Sequence, residues 1–89
     1  MIILWQFEEC EDSQPVRARL TELAVDFICV NAPKGHSEKD DVMRRLFGSA
    51  QTPALWDTQS GMLAQGQRQC LNYVNEKFRR HVQPVTTGA

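Results

Sequence analysis

The sequence predicts an α/β domain in the order β-α-β-α-β-β-α, built as one mixed four-stranded sheet with helices on both faces. Three observations lead to it. An apolar strand, an amphipathic helix and a second strand follow one another from the N-terminus, and such a unit closes with parallel strands and a right-handed crossover. A second amphipathic helix is then followed by two short strands separated by a turn, the pattern of a hairpin. The chain has 89 residues, enough for one small domain and too few for two, so nearly every apolar segment has to enter a single core.

Residues 2–7 carry apolar side chains on both faces of the strand alternation, as a central strand covered on both sides requires. Residues 13–24 follow as a helix, with Val16, Leu20, Leu23 and Ala24 spaced as its buried stripe. Pro15 falls in the first turn, where a missing N–H sacrifices no helical bond. Residues 26–30 form the second strand, and residues 31–36 a polar loop containing Pro33 and Gly35. Ser37, Glu38 and Asp40 open the second helix with an acidic first turn. Val42, Met43, Leu46 and Phe47 are its predicted buried stripe, and Gly48 is placed to stop it. Residues 53–56 read as the third strand, 57–61 as a turn, and 62–64 as a fourth strand antiparallel to the third. The last helix spans residues 67–80 and buries Cys70, Leu71, Val74 and Phe78, while Lys77, Arg79 and Arg80 complement its C-terminal dipole. The domain therefore covers residues 1–80, and residues 81–89 are expected to be a disordered tail.

With 42% hydrophobic and 24% charged residues and a formal net charge of -1, the chain lacks the basic excess of a nucleic-acid or membrane-surface binder. Its apolar runs are strand-length, and the N-terminus lacks the basic start and long apolar stretch of a signal peptide, so a cytoplasmic protein is expected. Three widely spaced cysteines, Cys10, Cys29 and Cys70, argue against a disulfide framework and fit a reducing compartment. His36 and His81 lie far from any second ligand, so no metal site is expected.

Cys10 carries the main chemical expectation. It stands where the first strand runs into the first helix, and there the helix dipole and free backbone N–H groups favour a thiolate. Thr52 and Pro53 open the third strand, where a cis X–Pro bond would sit. Cys29 and Cys70 occupy apolar positions of a strand and a helix and read as core.

Leu4 to Cys10, followed by Ser13, Val16 and Arg17, resembles the thiol segment of glutaredoxins and of the glutaredoxin-like N-terminal domain of glutathione S-transferases. Gly48 to Leu55 is similar to the stretch in which those proteins place a cis-proline, and Asp57 to Val74 resembles their closing hairpin and helix. The resemblance spans about residues 1–80 and implies a thioredoxin-like fold that presents a cysteine to glutathione. Carried over by position, it makes Cys10 the nucleophile, Thr52 the backbone partner of the tripeptide and Pro53 the cis residue. Gln65 and Gln67 fall where the γ-glutamyl end would be held. Ser13 replaces the second cysteine of dithiol members, which leaves only a monothiol route through glutathione or glutathionylated proteins.

The departures bear on reactivity. The family usually follows its cysteine with proline and an aromatic residue, whereas Glu11 and Asp12 stand here, with Glu8 and Glu9 before the thiol. At about 8 Å in water each carboxylate opposes the thiolate by roughly 0.5 kcal/mol, against about half a positive charge from the helix. A cancellation would leave Cys10 mostly protonated at neutral pH, and the same rim should repel anionic glutathione. Gln65 and Gln67 replace the Glu-Ser of the transferases and cannot pair with an ammonium group as a carboxylate does. Lys34, Lys39, Arg44 and Arg45 are the candidates for holding the glycyl carboxylate, and Arg17 for a bridge to Glu22 or the acidic rim.

Two functions are compatible with these residues. One is a small glutaredoxin-like thiol-disulfide oxidoreductase acting through Cys10, without the second domain of a complete glutathione S-transferase. The other is a non-catalytic adaptor with a degenerate glutathione site, whose acidic edge at residues 8–12 docks a basic protein. Cluster binding is weaker, because monothiol glutaredoxins that bind iron-sulfur clusters follow the cysteine with Gly-Phe.

Overall fold

Apolar side chains on both of its faces place β1 (Ile2–Gln6) inside the sheet, where neighbours on each edge and helices on each face cover it. The computed structural model describes residues 1–79; the predicted tail and the last residue of the predicted final helix lie outside the described residues. After β1 come α1 (Gln14–Glu22), β2 (Phe27–Asn31), α2 (Ser37–Phe47), β3 (Ala54–Asp57), β4 (Met62–Gln65) and α3 (Gln67–Phe78). The sheet order is β2-β1-β3-β4, with β2 parallel to β1 and β3 antiparallel to both β1 and β4.

Strand alternation divides the core. Ile2 and Leu4 of β1 pack with Leu55 of β3 against Val16 and Leu20 of α1 and Cys70 and Val74 of α3. Ile3 and Trp5 point to the opposite face, where Met43, Leu46 and Phe47 of α2 cover them. There Trp5 meets Phe47 edge to face, with ring centroids 5.4 Å apart. Each fully buried leucine contributes roughly 1.5–3 kcal/mol relative to exposure, so both layers are needed by so short a chain. α2 stops at Gly48, whose φ of 88° is the left-handed conformation that a side chain resists.

Three sequence-based assignments are corrected. Cys29 is exposed, not core, because β2 is an edge strand and its sulfur lies over the strand flank, 2.9 Å from the Gln6 side-chain nitrogen. Val42 is 45% exposed: α2 is rotated so that Met43 points at the sheet, which turns its predecessor outward. α1 ends at Glu22, and Ala24 adopts a positive φ of 55° beyond it and faces solvent instead of joining the stripe.

One buried polar network escaped the sequence reading. The Asp57 side chain, at the end of β3, accepts hydrogen bonds from the Gln59 amide at 3.0 Å, the Tyr73 hydroxyl at 2.5 Å and the Lys77 ammonium. Lys77 therefore ties α3 to the hairpin, a role beyond complementing the helix dipole. Burial alone would push the Asp57 carboxyl up, but Lys77, Tyr73 and the Gln59 amide outweigh it and lower the pKa from 3.8 to about 2. A depressed folded-state value stabilises the fold above the unfolded value, and that contribution, about 2 kcal/mol, is lost as pH falls through the folded value. The urea midpoint is accordingly expected to fall between about pH 5 and about pH 2, and Asp57→Asn to flatten that part of the profile.

Candidate functional site

Parallel pairing of β1 and β2 puts their C-terminal ends at one end of the sheet, and antiparallel β3 begins there as well. The segments after β1, after β2 and before β3 therefore converge, the usual place for a site in an α/β sheet. They bring Cys10, Lys34 and Thr52 to the wall of one open cleft of about 720 Å³, with Glu9, Glu11 and Asp12 beside them.

Cys10 is set by two turns. Its amide donates to the Phe7 carbonyl at 3.0 Å, and its own carbonyl accepts from the Ser13 and Gln14 amides at 3.1 and 3.2 Å. The second turn runs directly into α1, which leaves the sulfur at the helix N-terminus as the sequence implied. The residue is only 9% exposed, yet it lies on the cleft wall.

Thr52 and Pro53 face it from the start of β3. The Thr52–Pro53 peptide bond is cis. The Cys10 sulfur lies 3.2 Å from the Thr52 hydroxyl and 3.9 Å from its carbonyl oxygen. The Pro53 carbonyl accepts from the Gly66 amide at 2.8 Å, and the buried Cys70 thiol lies beneath it. Burial pushes that second thiol up to about 12, so Cys70 is inert at neutral pH.

The Cys10 thiol moves the other way. Burial raises it, but the Ser13 side chain, the Thr52 hydroxyl and the amides of Ser13 and Asp12 outweigh burial and hold the pKa below 9.0. The carboxylates of Glu8, Glu9, Glu11 and Asp12, all exposed to water, are not among the groups that shift it. Ser13 itself is fully buried, and its hydroxyl makes no hydrogen bond of normal geometry among the described residues. An orphaned buried hydroxyl costs about 1–3 kcal/mol, and a thiolate is the acceptor that would relieve it.

Thr52→Val, which keeps the shape and removes the hydroxyl, is expected to raise the Cys10 pKa and slow its alkylation several-fold at neutral pH. Iodoacetamide kinetics across pH in a Cys29→Ser background would check this, with equal profiles for the two proteins as the contrary result.

The remaining candidates are placed differently. Gln65 donates both amide hydrogens to the chain's own backbone, to Ser49 O at 3.0 Å and Gln51 O at 2.9 Å, and so braces the loop that carries Thr52. Gln67 begins α3 and does not line the cleft. Of the four candidate cations only Lys34 reaches it; Lys39 bonds the Asn31 carbonyl and Arg44 pairs with Asp41. Arg17 bonds the buried Gln6 side chain instead of Glu22, whose partner is Arg19. Ala32 and Pro33 line the cleft without having been singled out, and the parallel pairing of β1 with β2 was the signal that could have found them.

No family model matches the chain, and no curated protein matches it by sequence. Solved structures do match. A Nu-class GST from Haemonchus contortus superposes with a TM-score of 0.67 at 17% identity, over 88% of this chain and 36% of that one. The glutaredoxin grx-1 from Archaeoglobus fulgidus superposes with a TM-score of 0.64 at 14% identity, over 93% of this chain and 86% of that one. The chain adopts a thioredoxin fold. At these identities the likeness is one of architecture, and this chain spans little more than a third of the transferase's length. Within the thioredoxin fold, Cys10 and the cis bond occupy facing loops at one end of the sheet. Among the described residues no helix is long and apolar enough to cross a membrane, and no group of three or more His, Cys, Asp or Glu could hold a metal ion.

Proposed function

We propose that the protein is a glutaredoxin-like thiol-disulfide oxidoreductase that works through Cys10 by a monothiol route, with glutathione as co-substrate. The observation that carries the reading is a thiol of lowered pKa at a helix N-terminus, 3.2 Å from the hydroxyl of Thr52, on the wall of an open cleft. The likeness of fold to a glutaredoxin and a GST supports it.

In this reading the Cys10 thiolate attacks the glutathione sulfur of a mixed disulfide. The old S–S bond breaks, the partner leaves as a thiolate with the bonding pair, and solvent protonates it. A second glutathione thiolate then attacks the glutathione sulfur held on Cys10, releasing oxidised glutathione and restoring the Cys10 thiolate. Ser13 supplies no second thiol, so resolution has to come from outside the chain. Thr52 stands beside the sulfur to meet the bound tripeptide, Pro53 sets the loop that presents it, and the Gln65 brace supports that loop.

A second reading has its own support. The cleft wall carries three carboxylates and Gln65 is committed to the backbone, as in a non-catalytic module that docks a basic protein. One experiment separates the two. With Cys29→Ser as background, because Cys29 is exposed and Cys70 is inert, Cys10 is titrated with a thiol reagent and glutathione mixed-disulfide reduction is assayed. The oxidoreductase is expected to show a thiol pKa below the ordinary value of about 8.5 and turnover that disappears in Cys10→Ser. An ordinary pKa with no turnover would leave the docking module.

A further inference from the structure

We infer that the Cys10 cleft selects disulfides whose reacting sulfurs carry ammonium or guanidinium groups close by, in preference to anionic disulfides. The inference rests on thiol exchange at Cys10 and adds the substrate class. Glu9, Glu11 and Asp12 line the cleft, all exposed and none in an ion pair among the described residues. Lys34 is the only cationic side chain on that wall among the described residues. Three carboxylates against one ammonium leave two uncompensated negative charges around the mouth.

A second observation makes this a reacting site and not merely an acidic surface. The Ser13 hydroxyl is fully buried with no hydrogen-bond partner among the described residues, and on the cleft wall the Cys10 sulfur lies 3.2 Å from the Thr52 hydroxyl. The field around that thiol therefore has two parts. Donors at the sulfur stabilise its own negative charge, while the rim a few ångströms out is negative and acts on whatever approaches. Rim charges in the open mouth of a cleft act chiefly on the encounter rate, with effects of about 10-fold to 1,000-fold that weaken as salt rises.

The step balances without a further redox partner. The Cys10 thiolate attacks one sulfur of a cationic disulfide R–S–S–R, whose S–S bond breaks, and the other half leaves as a thiolate with the bonding pair and is protonated by solvent. Cys10 is oxidised to the mixed disulfide and the released half is reduced. A low-molecular-weight thiol then attacks the R sulfur, carries R away as a mixed disulfide and leaves the Cys10 thiolate. The positive charge can come from a small aminothiol or from a basic polypeptide segment around a cysteine.

The test uses the full chain carrying Cys29→Ser and follows mixed-disulfide formation at Cys10 by mass spectrometry. The probes are cystamine, 3,3′-dithiodipropionate, and disulfides of a short cysteine peptide flanked by lysines or by glutamates. Each rate is divided by that of the same disulfide with a neutral cysteine derivative, which removes intrinsic differences in leaving group. The cationic member of a pair is expected to react at least about 10-fold faster at about 0.01 M salt, where the Debye length is about 30 Å, and the preference to fade at about 1 M, where it is about 3 Å. The combined substitution Glu9→Lys, Glu11→Lys and Asp12→Lys is expected to reverse it. A preference confined to the peptides assigns the charge to a polypeptide, and one shared by cystamine to the small cation as well. Reaction of both charge types at equal normalised rates, or faster reaction of the anionic ones, overturns the inference and leaves thiol exchange at Cys10 standing. No mixed disulfide with any probe removes both.

Discussion

Asp57→Ala is expected to lower stability by about 2–4 kcal/mol, read as a fall of roughly 10–25 °C in Tm. The Asp57 side chain is almost wholly buried and accepts from a tyrosine hydroxyl, a lysine ammonium and a backbone amide. Removing a buried ionic partner costs about 3–5 kcal/mol where the other charge is sealed in. Lys77 is not sealed in. Its side chain is 30% exposed and can turn to water, and Tyr73 keeps a 2.8 Å contact with Ser60, so the loss falls somewhat short of that figure. Lys77→Met tests the same network from the other side. It leaves the carboxylate buried without its cation, so the Asp57 pKa is expected to rise and acid unfolding to begin at higher pH. A Tm within about 2 °C of the parent for Asp57→Ala would show that the three bonds add nothing net over hydration, since even 1 kcal/mol moves a domain of this size by about 4–8 °C.

Ser13→Cys is expected to convert the exchange from a monothiol to a dithiol reaction. Residues 10 and 13 span a single turn, closed by the 3.1 Å bond from the Ser13 amide to the Cys10 carbonyl, which keeps their Cα atoms within about 7 Å. A disulfide needs about 4.4–6.8 Å, so the pair is within reach. In a Cys29→Ser background, because Cys29 is exposed, oxidation of this variant by glutathione disulfide is expected to end in an intramolecular disulfide with both glutathione moieties released, whereas the protein with Ser13 stops at one glutathione on Cys10. Intact-mass analysis before and after reduction distinguishes the two. Persistent single glutathionylation of a variant that melts like the parent would show that the buried position at the start of α1 cannot turn toward the sulfur. The near-UV spectrum and Tm guard against a trivial loss of fold, because sulfur is larger than the oxygen it replaces and the site is fully buried.

These expectations draw on different parts of the chain's legibility. The order of elements was readable because each carries its own period: residues 2–7 alternate as a strand covered on both faces, and Val16, Leu20 and Leu23 repeat as a helix stripe. Cys10 and Thr52 were readable as loop residues at element boundaries, where local backbone rules operate. The exposure of Cys29 was not readable. Apolar flanks describe a strand's composition, but whether it lies at an edge is decided by which strand pairs with it. Nor was the Asp57 network, since Tyr73 and Lys77 reach Asp57 only after α3 packs back across the sheet.

The thiol separates what each level decides. Sequence alone determined that one cysteine would sit where a strand passes into a helix, with carboxylates on either side of it, and that a Thr-Pro pair would open a later strand, because those are matters of order and spacing along the chain. Only tertiary structure decided the thiol's acidity and the character of its cleft. Thr52, 42 residues away, comes to 3.2 Å of the sulfur, the carboxylates turn to water, and Lys34 arrives from the end of another strand. Hydrogen bonds act within a few tenths of an ångström and screened charges fade over about 10 Å, so a pKa depends on distances that chain order does not contain.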